Sequence, residues 1–193
     1  MAMFRIRSTL LICVFFTLCG CSPNSQKLSS QNFNSLNGND YLQLAASSAP
    51  PLRQQYLIQA ASQFLKNQQI KQAIPILNSL ASQNLPDDLL LSYQFLNANL
   101  LIKTKQYARS IDLLNKIEQN NTLTTTEQIR WLQFAAQSYA GNQQPLQSLN
   151  LRQSLGLLLQ DNSSAYQNNL QQAWLTLQKL SSNKLTQLAS SAD

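Results

Sequence analysis

Histidine is absent from this chain, and cysteine occurs only at positions 13, 19 and 21. The body after residue 21 therefore holds no Ser-His or Cys-His triad, no Cys/His zinc site and no disulfide framework. Glycine is scarce (4 residues), as is proline (6), which argues against an all-β fold with its many turns. Only 11% of residues are charged, well below the usual share. The eight acidic residues are spread thinly, and only Asp87–Asp88 stand together. That pair suits the positive end of a helix dipole better than acid–base chemistry. No glycine-rich phosphate loop is present. These absences disfavour an enzyme, a bound cofactor and a small-molecule substrate.

Glutamine, asparagine, serine and leucine fill the gap. Apolar residues recur among the amides at helical spacing, which sets the chain apart from prion-like low complexity. The net charge is +6, but the Lys and Arg are scattered and not interleaved with aromatics. This is the pattern of a solvated basic surface rather than a nucleic-acid-binding face.

The N-terminus has a pattern of its own. Arg5 and Arg7 precede the apolar run Leu10 to Leu18, which is too short to span a bilayer and matches the core of a signal peptide. Ser22-Pro23-Asn24 stops any helix there. Leu18-Cys19-Gly20-Cys21 resembles a bacterial lipobox. That resemblance makes Cys21 the lipidated first residue of the mature protein, since with Cys19 as acceptor Leu18 would stand where a small residue belongs. Cys19 itself departs mildly from the usual Ala, Ser or Thr of the second place. Two or more acyl chains give stable anchoring. By the sorting rule of such proteins, Ser22 implies the outer membrane, with the body in the periplasm.

Residues 22–39, "SPNSQKLSSQNFNSLNGN", are polar and aperiodic, so they read as a flexible tether. The chain thus divides into a signal peptide (1–20), a lipidated tether (21–39) and a helical domain (40–193). From Asp40, a cap candidate, nearly everything is helical. A short helix carries Tyr41, Leu42, Leu44 and Ala45, and a second starts at Pro50–Pro51. In the third, Pro75 predicts a kink unless it lies near the first turn. A fourth helix opens at Asp87–Asp88 and closes at Lys103 and Lys105; "QYARSIDLLNKIEQ" is the fifth. Thr124-Thr125-Thr126-Glu127 fits a capping box, and Gly141–Asn142 closes the helix it opens. "PLQSLNLRQSLGLLLQ", "SSAYQNNLQQAWLTLQKLSS" and a short "NKLTQLAS" complete the chain.

The helices repeat. Ala98, Leu101, Tyr107, Ser110, Leu114 and Ile117 each follow Ala61, Phe64, Ile70, Ala73, Leu77 and Leu80 by 37 residues. A further step of the same length from Ala98 reaches Ala135, although the later loop "YAGNQQPLQ" shifts the register. Small residues inside both helices of a pair allow close approach, and large ones fill the groove between pairs. The fold class is therefore all-α, a helical-hairpin solenoid resembling the tetratricopeptide repeat.

The segment "NDYLQLAASSAPPLRQQYLIQAASQFLKNQQIKQAIPILNSL", with Tyr41-Leu42-Gln43-Leu44-Ala45 at its head, resembles the N-terminal domain of the penicillin-binding protein activator lipoproteins of the LpoA type. "ARSIDLLNKI", "IRWLQFAAQSYA" and "NNLQQAWLTLQKLS" follow the same rhythm, so the resemblance covers residues 40–190. It implies an outer-membrane lipoprotein that supports or activates a class A penicillin-binding protein in peptidoglycan synthesis. The family's usual second domain, of the periplasmic-binding-protein type, is expected to be missing here. Two other readings fit an anchored helical arm: a lipoprotein of barrel assembly or of pilus and secretion docking, and a cell-wall-binding module.

Partner contacts in a solenoid commonly use the helix-A face, here Gln63, Tyr93, Gln94 and Asn97. Nothing in their pattern separates them from surface amides, so none is assigned as a site. Trp131 and Trp174 are expected in the core. The lipobox yields a direct prediction. Cys21→Ala abolishes incorporation of labelled palmitate and moves the protein from membranes to the soluble fraction, whereas Cys19→Ala leaves both unchanged. The opposite pattern would refute the assignment.

Overall fold

The computed structural model describes residues 36–160 and 162–180. Cys21, the tether up to residue 35 and the closing segment "NKLTQLAS" lie outside them. Among the described residues there are eight helices and no strand: α1 (Gly38–Ala46), α2 (Leu52–Lys66), α3 (Ile70–Ala81), α4 (Asp87–Lys103), α5 (Tyr107–Asn120), α6 (Thr125–Gly141), α7 (Pro145–Leu158) and α8 (Ser163–Leu177). The helices α2–α3, α4–α5 and α6–α7 form three consecutive hairpins, each with a helix A and a helix B. The first helix, α1, packs on α2, and α8 packs on α7.

Helix α1 opens two residues before the expected boundary at residue 40. Its cap is Asn37 rather than Asp40. The Asn37 Oδ1 accepts from the Asn39 and Asp40 amides at 2.8 and 3.2 Å, and the Asp40 carboxylate accepts from the Asn37 amide at 2.8 Å. This reciprocal pair is a capping box, in which an acid belongs three residues after the cap. A Cβ on Gly38 would come 2.6 Å from the Phe64 ring, so the missing side chain is what lets α1 lie on α2. Pro51 stands at the cap of α2, as the Pro-Pro signal implied. Helix α3 runs unbroken through Pro75. The missing N–H leaves the Lys71 carbonyl without its helical partner, but both residues are exposed and solvent can satisfy it.

The capping box of α6 forms as read. The Glu127 carboxylate accepts from the Thr124 amide at 2.8 Å and from its hydroxyl at 2.7 Å, and the Glu127 amide donates to the Thr124 hydroxyl oxygen at 3.4 Å. Those two bonds from Thr124, with a smaller contribution from Arg130, hold the Glu127 pKa below its ordinary value. The cap therefore contributes fully above the ordinary carboxylate range and is lost as pH falls through the depressed value.

All three hairpins turn in the same way. Gln68, Lys105 and Gln143 have φ of 60°, 59° and 59°, the left-handed region. The next residue is a glutamine each time. The amides of Gln69, Gln106 and Gln144 reach back to the carbonyls of Phe64, Leu101 and Tyr139 at 2.8, 2.8 and 2.9 Å. This is a Schellman ending, which satisfies carbonyls the helix would otherwise leave open. The turn of α6 thus rests on Gln143 and not on Gly141, whose φ is unremarkable. Gly141 serves packing instead: the Tyr107 ring occupies the space a Cβ would need.

Small residues hold the two helices of each hairpin together. Ala61 and Ala73 are fully buried in the first. In the second, the Ser110 hydroxyl donates to the Ala98 carbonyl at 3.4 Å. In the third, the Ser148 hydroxyl donates to the Ala136 carbonyl at 2.7 Å. The third counterpart of Ala98 is therefore Ala136, not Ala135. Helices α4 and α6 begin 38 residues apart, while α3 and α5 begin 37 apart, so one residue has been added between the start of α5 and the start of α6. Two core clusters result. The first, which includes Phe64, Leu65, Leu77 and Leu80, joins the first hairpin; the second, around Phe95, Leu114, Trp131 and Leu155, joins the later helices.

A non-glycine residue in the left-handed region costs on the order of 1 kcal/mol. Lys105 is exposed. Lys105→Gly is expected to raise the urea midpoint by the equivalent of ~0.5–1 kcal/mol, whereas Lys105→Val lowers it. Equal midpoints would contradict the strain.

Candidate interaction surfaces

Among the described residues, no group of three His, Cys, Asp or Glu side chains comes together in a way that could hold a metal ion. No described helix is long and apolar enough to cross a membrane. What the repeat places on the surface are the junctions between successive hairpins, and these differ from one another.

At the first junction α4 is visible between α3 and α5. A groove of about 730 Å³ runs along it, lined by Ile74 and Asn78 of α3, by Leu90, Tyr93, Gln94 and Asn97 of α4, and by the near face of α5. Three of the four residues named as contact candidates from sequence thus share one surface. Gln63 does not line it. The surface is also not the one expected, because its walls are the two B helices and not neighbouring A helices. Tyr93, Gln94 and Asn97 are half-buried. The rim mixes charges, with Arg109, Asp112 and Lys116 on α5. The Arg109 guanidinium donates to the Gln106 side chain.

At the second junction the equivalent places hold Trp131, Leu132 and Ala135, and all three are buried. The Trp131 indole N–H donates to the Leu114 carbonyl at 2.9 Å, locking α6 onto α5. Nearby, Phe134 meets Phe95 edge-on at 6.3 Å, and the Arg130 guanidinium lies 5.5 Å over the Phe95 ring. The groove of the first junction is filled here by an indole.

At the third junction the pattern changes chemically. The place held by Tyr56, Tyr93 and Trp131 in the first three A helices is held by Asn169 in α8. The place held by Leu77 and Leu114 in the first two B helices is held by Arg152 in α7. The Asn169 amide donates to the Arg152 carbonyl at 2.8 Å, repeating the Trp131 bond with a smaller residue. The Arg152 side chain is only 8% exposed. Its Nη1 donates to the Asn169 Oδ1 at 3.5 Å, and its Nε has no hydrogen-bond partner. Burial lowers the pKa of this guanidinium, though an arginine stays charged at neutral pH. Two cavities meet at it. One, of about 310 Å³, is lined by Leu149, Gln153, Tyr166, Asn169, Leu170 and Ala173 among others, the repeat counterparts of the first groove. The other, of about 400 Å³, lies between the A helices α6 and α8.

Sequence reasoning passed over Arg152. The signal was available: the Leu77–Leu114 series arrives at Arg152 once the extra residue before α6 is counted. Trp131 is buried as expected, but Trp174 is 61% exposed. It occupies the place of Ala61, Ala98 and Ala136, where the other A helices meet their B partners. Among the described residues no helix packs on that side of α8.

Comparison with known proteins gives a consistent result. A family model described as "LppC putative lipoprotein" matches residues 31–193. The structure is similar to LpoA of Haemophilus influenzae, with a TM-score of 0.65 and 15% identity over 79% of this chain. It is also similar to the LpoA N-terminal domain of that organism, with a TM-score of 0.65, 15% identity and 69% of that domain covered. The amino-terminal domain of LpoA from E. coli matches with a TM-score of 0.61 and 21% identity, over 77% of this chain and 64% of that one. The chain spans 28% of the longer H. influenzae protein. No curated protein sequence matches.

Proposed function

This chain belongs to the LppC lipoprotein family, and on that premise we propose that it is an outer-membrane lipoprotein whose helical array docks a class A penicillin-binding protein and supports peptidoglycan synthesis. Its signal peptide occupies residues 1–20, Cys21 carries the lipid, and the tether that follows gives the helices reach into the periplasm. It acts as a scaffold and not as an enzyme.

The observation that carries this reading is the open groove on α4. In a repeat array an exposed junction is surface left for a partner, because the same residues could have been closed by an indole, as they are one hairpin later. Half-buried Tyr93 offers a rigid apolar face at low entropic cost, while Gln94 and Asn97 offer donors and acceptors. The likeness to LpoA N-terminal domains supports the choice of partner class over barrel assembly or secretion docking.

A pull-down from solubilised envelope with the full chain tests it. Enrichment of a class A penicillin-binding protein is expected, with recovery falling several-fold for the double variant Tyr93→Ala, Gln94→Ala. Enrichment of barrel-assembly or secretin components in its place, or binding to purified sacculi alone, would overturn it.

A further inference from the structure

The junction of α7 and α8 carries a charge that no described residue neutralises. Arg152 takes a position where two earlier B helices place fully buried leucines, and it is itself more than nine-tenths buried. Its Nε lies buried without an acceptor. A buried cation is costly unless it is paired and fully hydrogen-bonded. Yet among the described residues no carboxylate lines either of the cavities that meet at it. Among the described residues the only side-chain acceptor it reaches is the neutral Asn169 oxygen, at the limit of hydrogen-bond length. In the first two hairpins a leucine fills this place.

The cavity between α6 and α8 is furnished to match. Gln133 and Gln137 stand four residues apart on α6, and Asn168 and Gln172 stand four apart on α8, so each pair shares one helix face. Both pairs line this cavity, and so does Arg152. A side-chain amide both donates and accepts, which suits a peptide group. A guanidinium fork suits a carboxylate. We propose that this cavity binds an extended acidic peptide segment of a partner protein, with its carboxylate on Arg152 and its backbone held between the two amide pairs. The site is separate from the α4 groove, and it stands whether or not the partner there is a peptidoglycan synthase.

Two-dimensional NMR of the full chain in detergent micelles provides the test. The probe is an end-blocked Gly-Ser-Glu-Ser-Gly peptide, compared with its Gln counterpart and with acetate. The Glu peptide is expected to shift the side-chain amide signals of Asn168, Asn169 and Gln172. The Gln peptide should bind about tenfold more weakly, as loss of one charge-assisted bond implies. Arg152→Leu should lose the response while melting at a higher temperature than the parent, and Arg152→Lys should keep part of it. Equal response to both peptides, a response retained by Arg152→Leu, or acetate reproducing the shifts at equal concentration would overturn the proposal. So would a lower melting temperature for Arg152→Leu, which would mean that the guanidinium is already satisfied within the fold.

Discussion

The close approach of two helices at one small residue on each is the constraint from which the rest of this array follows. Ala61 with Ala73, Ala98 with Ser110, and Ala136 with Ser148 occupy the same places in three hairpins, and all six are buried with essentially no exposed surface. Small side chains bring the helix backbones near enough for a serine hydroxyl on helix B to reach a carbonyl of helix A. With the helices so close, the chain must reverse tightly. It does so each time through one left-handed residue and a glutamine amide that bonds back into helix A. The strain of that turn is tolerated because it recovers orphan carbonyls. Large residues, freed from the A–B contact, point instead at the neighbouring hairpin.

The junctions between hairpins are where one framework acquires different surfaces. Three of the four positions that face a junction from helix A are aromatic, yet their outcomes differ. Tyr56 meets Tyr41 with tilted rings 6.4 Å apart, Tyr93 lines a groove, and Trp131 is sealed by its bond to Leu114. The fourth, Asn169, comes together with Arg152. A single indole at the second junction thus makes a closed middle, with an open mixed groove on one side and a polar, cationic cavity on the other. Neither surface needs a departure from the repeat; each is a change of side chain at a fixed place.

Much of this was legible in the sequence because helical period, caps and the 37-residue spacing depend on local residue types. The small-residue series, the Thr124 capping box and the burial of Trp131 came from such signals. What escaped depended on geometry that residue types do not report. One added residue between α5 and α6 moved the third-hairpin equivalence from Ala135 to Ala136 and hid Arg152 at the end of a leucine series. Asp40 carries the chemistry of a cap, but Asn37 three residues earlier completes a reciprocal pair that a single-position reading misses. Trp174 was placed in the core by its size, whereas its exposure depends on what covers α8. Gly141 suggested a left-handed ending, although glutamine and lysine take that conformation here and the glycine makes room for Tyr107.

The packing account is tested most directly at Ser110, which is fully buried between α4 and α5 with its hydroxyl 2.9 Å from that of Ser138. Ser138 also reaches the Phe134 carbonyl at 2.8 Å, so it keeps a partner if Ser110 is changed. The measurement is the urea unfolding midpoint of Ser110→Ala and of Ser110→Leu. Alanine, the residue of the first hairpin at this place, is predicted to shift stability by no more than about 1 kcal/mol. Leucine is predicted to lower it by about 1–3 kcal/mol or more, because the helices cannot close around it. Similar midpoints for the two variants would contradict the claim that close helix approach at this position sets the fold.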